Sequence, residues 1–331
     1  MTTGLLRRLL ALVLVLLGLS LTVFVLQEVS PIDPVRATVG ASAPQSVVDA
    51  ERARLGLDDP AVVRYLRYLG DIVRGDLQKS LRTHQPVRDD LARFLPATIE
   101  LSLFGLALAA VLALAFGILG SRRGATSQIT RFWMIAGAAA PVFLLAIAGK
   151  LLFYKQWGLL PAGGRGSVTN PPNGPTGLRT LDGLLNGRLD VTTDALRHLV
   201  LPGFCVALSP AVAVGRVLRG GLVDFSNSDA ARTARSLGLT ERAITLRHGL
   251  RNAAAPALAM GGLQVGLTVA GIIVVETLFA WPGVGFYLSQ SLPDGDFPAI
   301  AGVTLLFGTV YVVANFLAET LQTLVDPRLS Q

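Results

Sequence analysis

The sequence predicts an all-α membrane protein: six transmembrane helices, with a small extracytoplasmic domain between helices 1 and 2. Three observations predict this class. Of 331 residues, 51% are hydrophobic and 15% charged, whereas a soluble domain carries about 25% charged residues. The apolar residues gather in long runs, the first from Leu9 to Val29, and about 20 such residues span a bilayer as a helix. Arginines concentrate in the short polar segments between alternate runs, the pattern of loops on the cytoplasmic side.

The same composition narrows the chemistry. The formal net charge is +7. In a chain of spans this excess sets topology, and no nucleic-acid partner is expected. Cys205 is the sole cysteine, so neither an internal disulfide nor a cysteine metal cluster can form. The sequence holds no phosphate-binding P-loop, no H-E-x-x-H and no G-x-S-x-G, and His84, His198 and His248 are scattered. No catalytic, cofactor-binding or metal-ligating residue is expected, and the chain is read as a non-enzyme.

Taken in order, residues 1–30 form helix 1, with Arg7 and Arg8 on its cytoplasmic flank. Ser30-Pro31-Ile32-Asp33-Pro34 follows directly, without a small-residue cleavage site, so helix 1 is expected to stay uncleaved. Residues 31–96 are polar and mixed in charge, and form the extracytoplasmic domain. Within it, Val62, Leu66, Leu69 and Val73 recur at helical spacing. Residues 97–331 form the core, with spans at about 97–120, 132–153, 199–218, 257–279 and 297–324. Pro141 is expected to bend span three, and Pro202 and Pro210 lie inside span four. Trp281 to Gly285 reads as a turn at the outer surface, with Trp281 at the membrane interface. Four ionisable residues fall near membrane depth: Glu100, Lys150, Glu276 and Glu319. Glu100 and Lys150 sit near span ends, where snorkelling suffices. Glu276 either lines a translocation path or serves as a structural partner for another helix.

The polar segment 228–256 lies between spans four and five. Ser228 can cap a short helix with Asp229 in its first turn. Ala230, Ala234 and Leu237 fall on one face of that helix and Arg232 and Arg235 on the other. Gly238 is free to adopt positive φ and stop it, and Thr240 can cap a second helix from Glu241. This is a helix–glycine–helix elbow.

Its order of residues, R-T-A-R-S-L-G-L and then R-H-G-L-R-N-A-A-A-P, resembles the coupling (EAA-type) motif of permeases of bacterial ABC importers, in the peptide/nickel branch. L-G-L-D-D-P, R-G-D-L-Q-K-S, W-G-L-L-P-A-G-G, V-V-E-T-L-F-A-W-P-G-V-G and the final D-P-R extend the likeness over the whole chain. The resemblance implies a type I importer permease fold in the bacterial inner (plasma) membrane, with both termini cytoplasmic. It implies a heterodimer with a second, similar permease, two ABC ATPase domains that hold the ATP and Mg, and an extracytoplasmic solute-binding lipoprotein. It places ATPase coupling on Ala230, Arg232, Thr233, Ala234, Arg235, Leu237, Gly238 and Leu239. Dipeptides or oligopeptides are the expected substrates; nickel chelates and glutathione stay open. A self-sufficient secondary transporter is the reading from another class. It would call for charged residues across several spans or inverted repeats, and the sequence shows neither.

The topology is testable by labelling single cysteines in a Cys205→Ser background. A cysteine at Ser46 should react with an impermeant reagent on intact cells, and one at Ser228 should not. The reverse pattern would overturn the topology.

Overall fold

A computed structural model describes residues 2–30, 35–36, 43–54, 56–172 and 174–325, with side chains from residue 10 to residue 317. The readings placed on Arg7, Arg8, Ile32, Glu319 and Asp326 to Arg328 fall outside that set. Among the described residues the regular structure is helical, apart from one antiparallel bridge, Lys79 to Pro86. The helices are α1 (Thr2–Val29), α2 (Gln45–Arg54), α3 (Ala61–Val73), α4 (Val87–Ser121), α5 (Ala125–Ala139), α6 (Val142–Gly149), α7 (Arg179–Leu185), α8 (Leu189–Ser226), α9 (Asp229–Ser236), α10 (Leu250–Leu278), α11 (Val284–Ser291) and α12 (Phe297–Val325). A π-helical turn, Lys150–Gln156, continues α6, and a second, Ile244–Gly249, leads into α10.

Five helical stretches are long and apolar enough to cross a membrane: Leu10–Val29, Val87–Ser121, Leu189–Ser226, Glu241–Leu278 and Phe297–Leu317. The sixth expected span is a broken pair, α5 and α6 with its π turn, bent by 108°. The bend foreseen at Pro141 is therefore a full interruption. Ala140 and Pro141 are both extended, with ψ of 117° and 141°. Proline bars the residue before it from the α region and brings no N–H of its own. Pro202 and Pro210, by contrast, stay inside the unbroken α8, where both are buried against neighbouring helices.

The chain divides into two compact units, Met1–Leu95 with Val284–Val310, and Pro96–Gly283 with Tyr311–Gln331. The second unit is built on α8, the most buried of the apolar stretches. Its approach to α4 is close because glycines alternate across the contact. A Cβ on Gly105 would stand 2.6 Å from Val206, and one on Gly117 2.6 Å from Leu218. Reciprocally, Phe104 fills the space over Gly203 and Phe116 that over Gly215. Small residues at such contacts let apolar helices approach closely in a membrane, where no hydrophobic force separates helix from lipid.

Polar groups at one end of this unit are satisfied internally. Glu100 is buried and does not snorkel as expected. It pairs with Arg165 at 2.6 Å and accepts from the backbone N–H and hydroxyl of Thr180, both at 2.7 Å. Lys150 likewise turns inward, donating to the carbonyl of Leu278. The segment between α6 and α7 is held the same way: Asp194 accepts from Ser167 N at 2.6 Å, and Asp182 from the Thr176 hydroxyl at 2.7 Å. Trp281 corrects a second expectation. It is 0% exposed, packed in the core with Leu199, Cys205 and Phe279. Its indole N–H donates to the Ala97 carbonyl at 2.9 Å. A buried indole needs such a partner, and the first turns of α4 supply one that no interfacial position would require.

The first unit packs Val87 to Leu95 of α4 against α11 and the start of α12, around Val284, Tyr287, Ala299 and Val303. Asp296 caps α12, accepting from Ala299 N at 3.3 Å, and also accepts the Ser80 hydroxyl at 2.5 Å. Asp90 accepts from Thr83 at 2.5 Å and from the Tyr287 hydroxyl at 3.0 Å.

Trp281→Phe should remove the bond to Ala97, whose carbonyl keeps its place in the helical ladder of α4, at a cost of about 0.5–1.5 kcal/mol. A lowered midpoint of thermal unfolding in detergent is the expected readout, and an unchanged midpoint would contradict the sealed position.

Candidate functional site

The elbow after α8 is built from its own caps. The Ser228 hydroxyl accepts from Ala231 N at 3.3 Å and donates to the Phe225 carbonyl at 2.7 Å, tying α9 to the end of α8. At the other end, Gly238 N reaches Arg235 O at 2.9 Å and Leu239 N reaches Ala234 O at 3.1 Å. These two bonds close a Schellman motif, whose crossing residue takes positive φ. Gly238 has φ of 80°. Thr240 then accepts from Ala243 N at 3.3 Å and starts the next helical stretch.

Arg235 fixes the angle between the two limbs. It pairs with Glu241 at 2.6 Å and donates to the Ser226 carbonyl at 3.0 Å. Arg232 makes only a surface pair with Asp229 at 2.8 Å, and such pairs contribute little. Ala231 is the residue of α9 that is buried inward. Ala230, Thr233, Ala234 and Leu237 turn outward and, with Leu239, His248, Arg251 and Asn252, line a groove of about 770 Å³. Leu237 is 77% exposed. Of the eight elbow positions singled out in the sequence, five thus meet at one groove, Arg232 and Arg235 stand outside its lining, and Gly238 sets the turn beside it. His248, Arg251 and Asn252 are not among the residues that the sequence singles out. The signal was the R-H-G-L-R-N string, whose helical spacing brings the three to one side of the following limb.

That limb is continuous with the membrane stretch from Glu241 to Leu278, where the sequence had suggested a start near Ala257. The join is the π turn Ile244–Gly249, in which Ile244 is buried. A Cβ on Gly249 would meet Leu222 at 3.0 Å. The Ser121 end of α4 and the Ser226 end of α8 lie at this same end of the unit. Arg219 donates to the Gly120 carbonyl at 2.9 Å, and Arg123 acts electrostatically on Glu241.

Glu276 lies at the other end, beside Trp281, whose N–H reaches the Glu276 carbonyl at 2.8 Å. Its side chain is 0% exposed and accepts from the Thr98 hydroxyl at 2.7 Å. Gly283 passes so close that a Cβ there would stand 2.1 Å from Glu276 Oε1. Within this chain, then, the carboxylate faces helix and backbone. Among the described residues no cluster of three or more His, Cys, Asp or Glu side chains could hold a metal ion.

Residues 95–331 match the family described as binding-protein-dependent transport system inner membrane component, and residues 1–102 match the family of its N-terminal part. The chain is 33% identical to the dipeptide transport system permease protein of Alkalihalophilus pseudofirmus, over 98% of each chain. It is 36% identical to the probable D,D-dipeptide transport system permease protein of Escherichia coli, over 97% of this chain and 95% of that one. It is 33% identical to the di/tripeptide transport system permease protein of Pseudomonas aeruginosa, over 98% and 97%.

Gly283→Ala should drive a methyl group into the Glu276 carboxylate, and overpacking of this kind costs about 1–3 kcal/mol. Less folded protein and a lower unfolding midpoint are expected. A variant as stable as the parent would show that the contact is loose.

Proposed function

Because this chain belongs to the family of inner-membrane components of binding-protein-dependent transport systems, spanning the membrane several times, we propose that it is one permease subunit of an ATP-driven importer of dipeptides or oligopeptides. The peptide class is supported by the names of its relatives. The other components are a second permease, two ATPase domains that bind the nucleotide and its Mg, and an external solute-binding lipoprotein. The elbow faces the cytoplasm, together with both termini, and residues 31–96 lie outside. The arginines at the elbow end of the second unit support this orientation.

The observation that carries the coupling role is the outward face of α9. A helix capped at both ends by its own residues presents Ala230, Ala234 and Leu237 to a groove that the described residues leave open. Small side chains permit close docking, and a rigid cap transmits displacement of the docked partner to α8 and α10. Glu276 is assigned a holding role: it fastens the end of α10 to α4 through Thr98, and substrate passes elsewhere along the permease.

Gly238 provides the test. A Cβ there meets nothing of this chain within 4 Å, so within the chain Gly238→Val acts through backbone conformation. A β-branched residue in the left-handed region costs about 1–2 kcal/mol, whereas asparagine tolerates it. The complete importer is reconstituted in proteoliposomes, and uptake of labelled di- and tripeptides and substrate-stimulated ATP hydrolysis are measured together. Gly238→Val should lose both, with normal insertion, and Gly238→Asn should keep most of each. Full stimulation by peptide in Gly238→Val would remove the elbow from the coupling path. Uptake of nickel chelates or glutathione without peptide by the unaltered complex would overturn the peptide assignment.

A further inference from the structure

The apolar stripe of α3 has no partner among the described residues. Val62, Leu66, Leu69 and Val73 share one face of this helix at steps of four, three and four residues. Such a stripe ordinarily turns toward a core, yet no residue of α3 is buried. Val62 is 69% exposed, Leu66 61% and Val73 86%.

The other faces of α3 are accounted for. Arg64, Arg67 and Asp71 lie opposite the stripe. Arg64 pairs with Glu28 of α1, and Arg67 with Asp59 at 2.7 Å. A third, lateral face carries Tyr65 and Tyr68 and rests on α1. The Tyr65 hydroxyl is 3.0 Å from that of Ser20, and it donates to the Leu17 carbonyl at 3.2 Å. The rings of Tyr65 and Tyr68 stand 5.3 and 6.2 Å from that of Phe24.

Those contacts fix the depth of α3. Leu17, Ser20 and Phe24 all lie within the membrane stretch Leu10–Val29. At 1.5 Å per residue, Phe24 sits about 7 Å inside the Val29 end and Ser20 about 13 Å inside it. With Arg64 on Glu28 at the end of the stretch and its tyrosine side chains reaching inward to these residues, α3 lies alongside the Val29 half of α1, at the depth of one leaflet. It also carries its charges on the side away from its apolar stripe. Helices that lie in the membrane surface bury their apolar face about 5–10 Å into the boundary between headgroups and acyl chains, and tyrosines are enriched at that level.

We propose that α3 is an interfacial helix, with the Val62, Leu66 and Val73 stripe immersed in lipid of the leaflet at the Val29 end of α1. The occupant of the stripe is acyl chain, and neither the second permease nor the solute-binding protein covers it. The inference rests on α1 crossing the membrane, and the experiment reports on that premise separately.

Single cysteines replace Leu14, Leu66 or Arg67 in a Cys205→Ser background, and each is spin-labelled in the complete importer reconstituted in lipid. Collision with oxygen, which concentrates in acyl chains, is compared with collision with a neutral water-soluble nickel chelate. At Leu66→Cys the ratio of oxygen to chelate collision should exceed that at Arg67→Cys several-fold and approach that at Leu14→Cys, in mid-span. A label at 66 as open to the chelate as the label at 67 would place the stripe in water and overturn the proposal. A label at 66 closed to both reagents would place it under a protein partner and overturn it equally. Ready access of the chelate to the label at 14 would refute the membrane crossing of α1, and the proposal with it.

Discussion

Close contact between α4 and α8 is the constraint on which the second unit depends. Glycines on each helix receive bulky side chains from the other, at Gly105, Gly117, Gly203 and Gly215. In an apolar solvent, contact of this kind and internal polar bonds are what hold helices together. With the two axes held close, Arg219 of α8 can reach the Gly120 carbonyl of α4. A bulky residue at any of these glycines would separate the helices and strain that bond.

Acidic side chains do complementary work outside the helix cores. Glu100, Asp182 and Asp194 each accept bonds from backbone N–H groups of the segment between α6 and the start of α7. Irregular backbone near a membrane needs such acceptors, because unsatisfied N–H groups are costly where water is excluded. These carboxyl side chains therefore stabilise the connection between helices, and the burial of Glu100 and Asp182 is compensated by several bonds each.

The helical class, most span centres and the elbow were legible in the sequence because they rest on local rules. Hydropathy defines spans, and Ser228, Gly238 and Thr240 act on their own neighbours. What escaped was non-local. Pro141 and Pro202 look alike in sequence, yet one breaks its helix and the other is held straight by packing. Trp281 has the composition of an interfacial residue, and only the fold reveals the carbonyl that receives its N–H. Glu100 resembled a snorkelling charge until Arg165 and Thr180, distant in sequence, closed around it. The periodic stripe of α3 was visible, but periodicity states that a face is apolar and not what covers it. At the site, the face of α9 could be read from spacing, whereas His248, Arg251 and Asn252 joined its groove through the geometry of the turn.

The caps of α9 carry a consequence for how such proteins diversify. Ser228 and the Gly238 turn satisfy the ends of the helix without help from its outward side chains. Its outward positions can therefore change one at a time while the helix persists, since surface substitutions away from such features are usually worth less than about 0.5 kcal/mol. The scaffold is thus insulated from its contact surface. Drift at Ala230, Thr233 or Leu237 can alter that surface without any redesign of the spans that frame it.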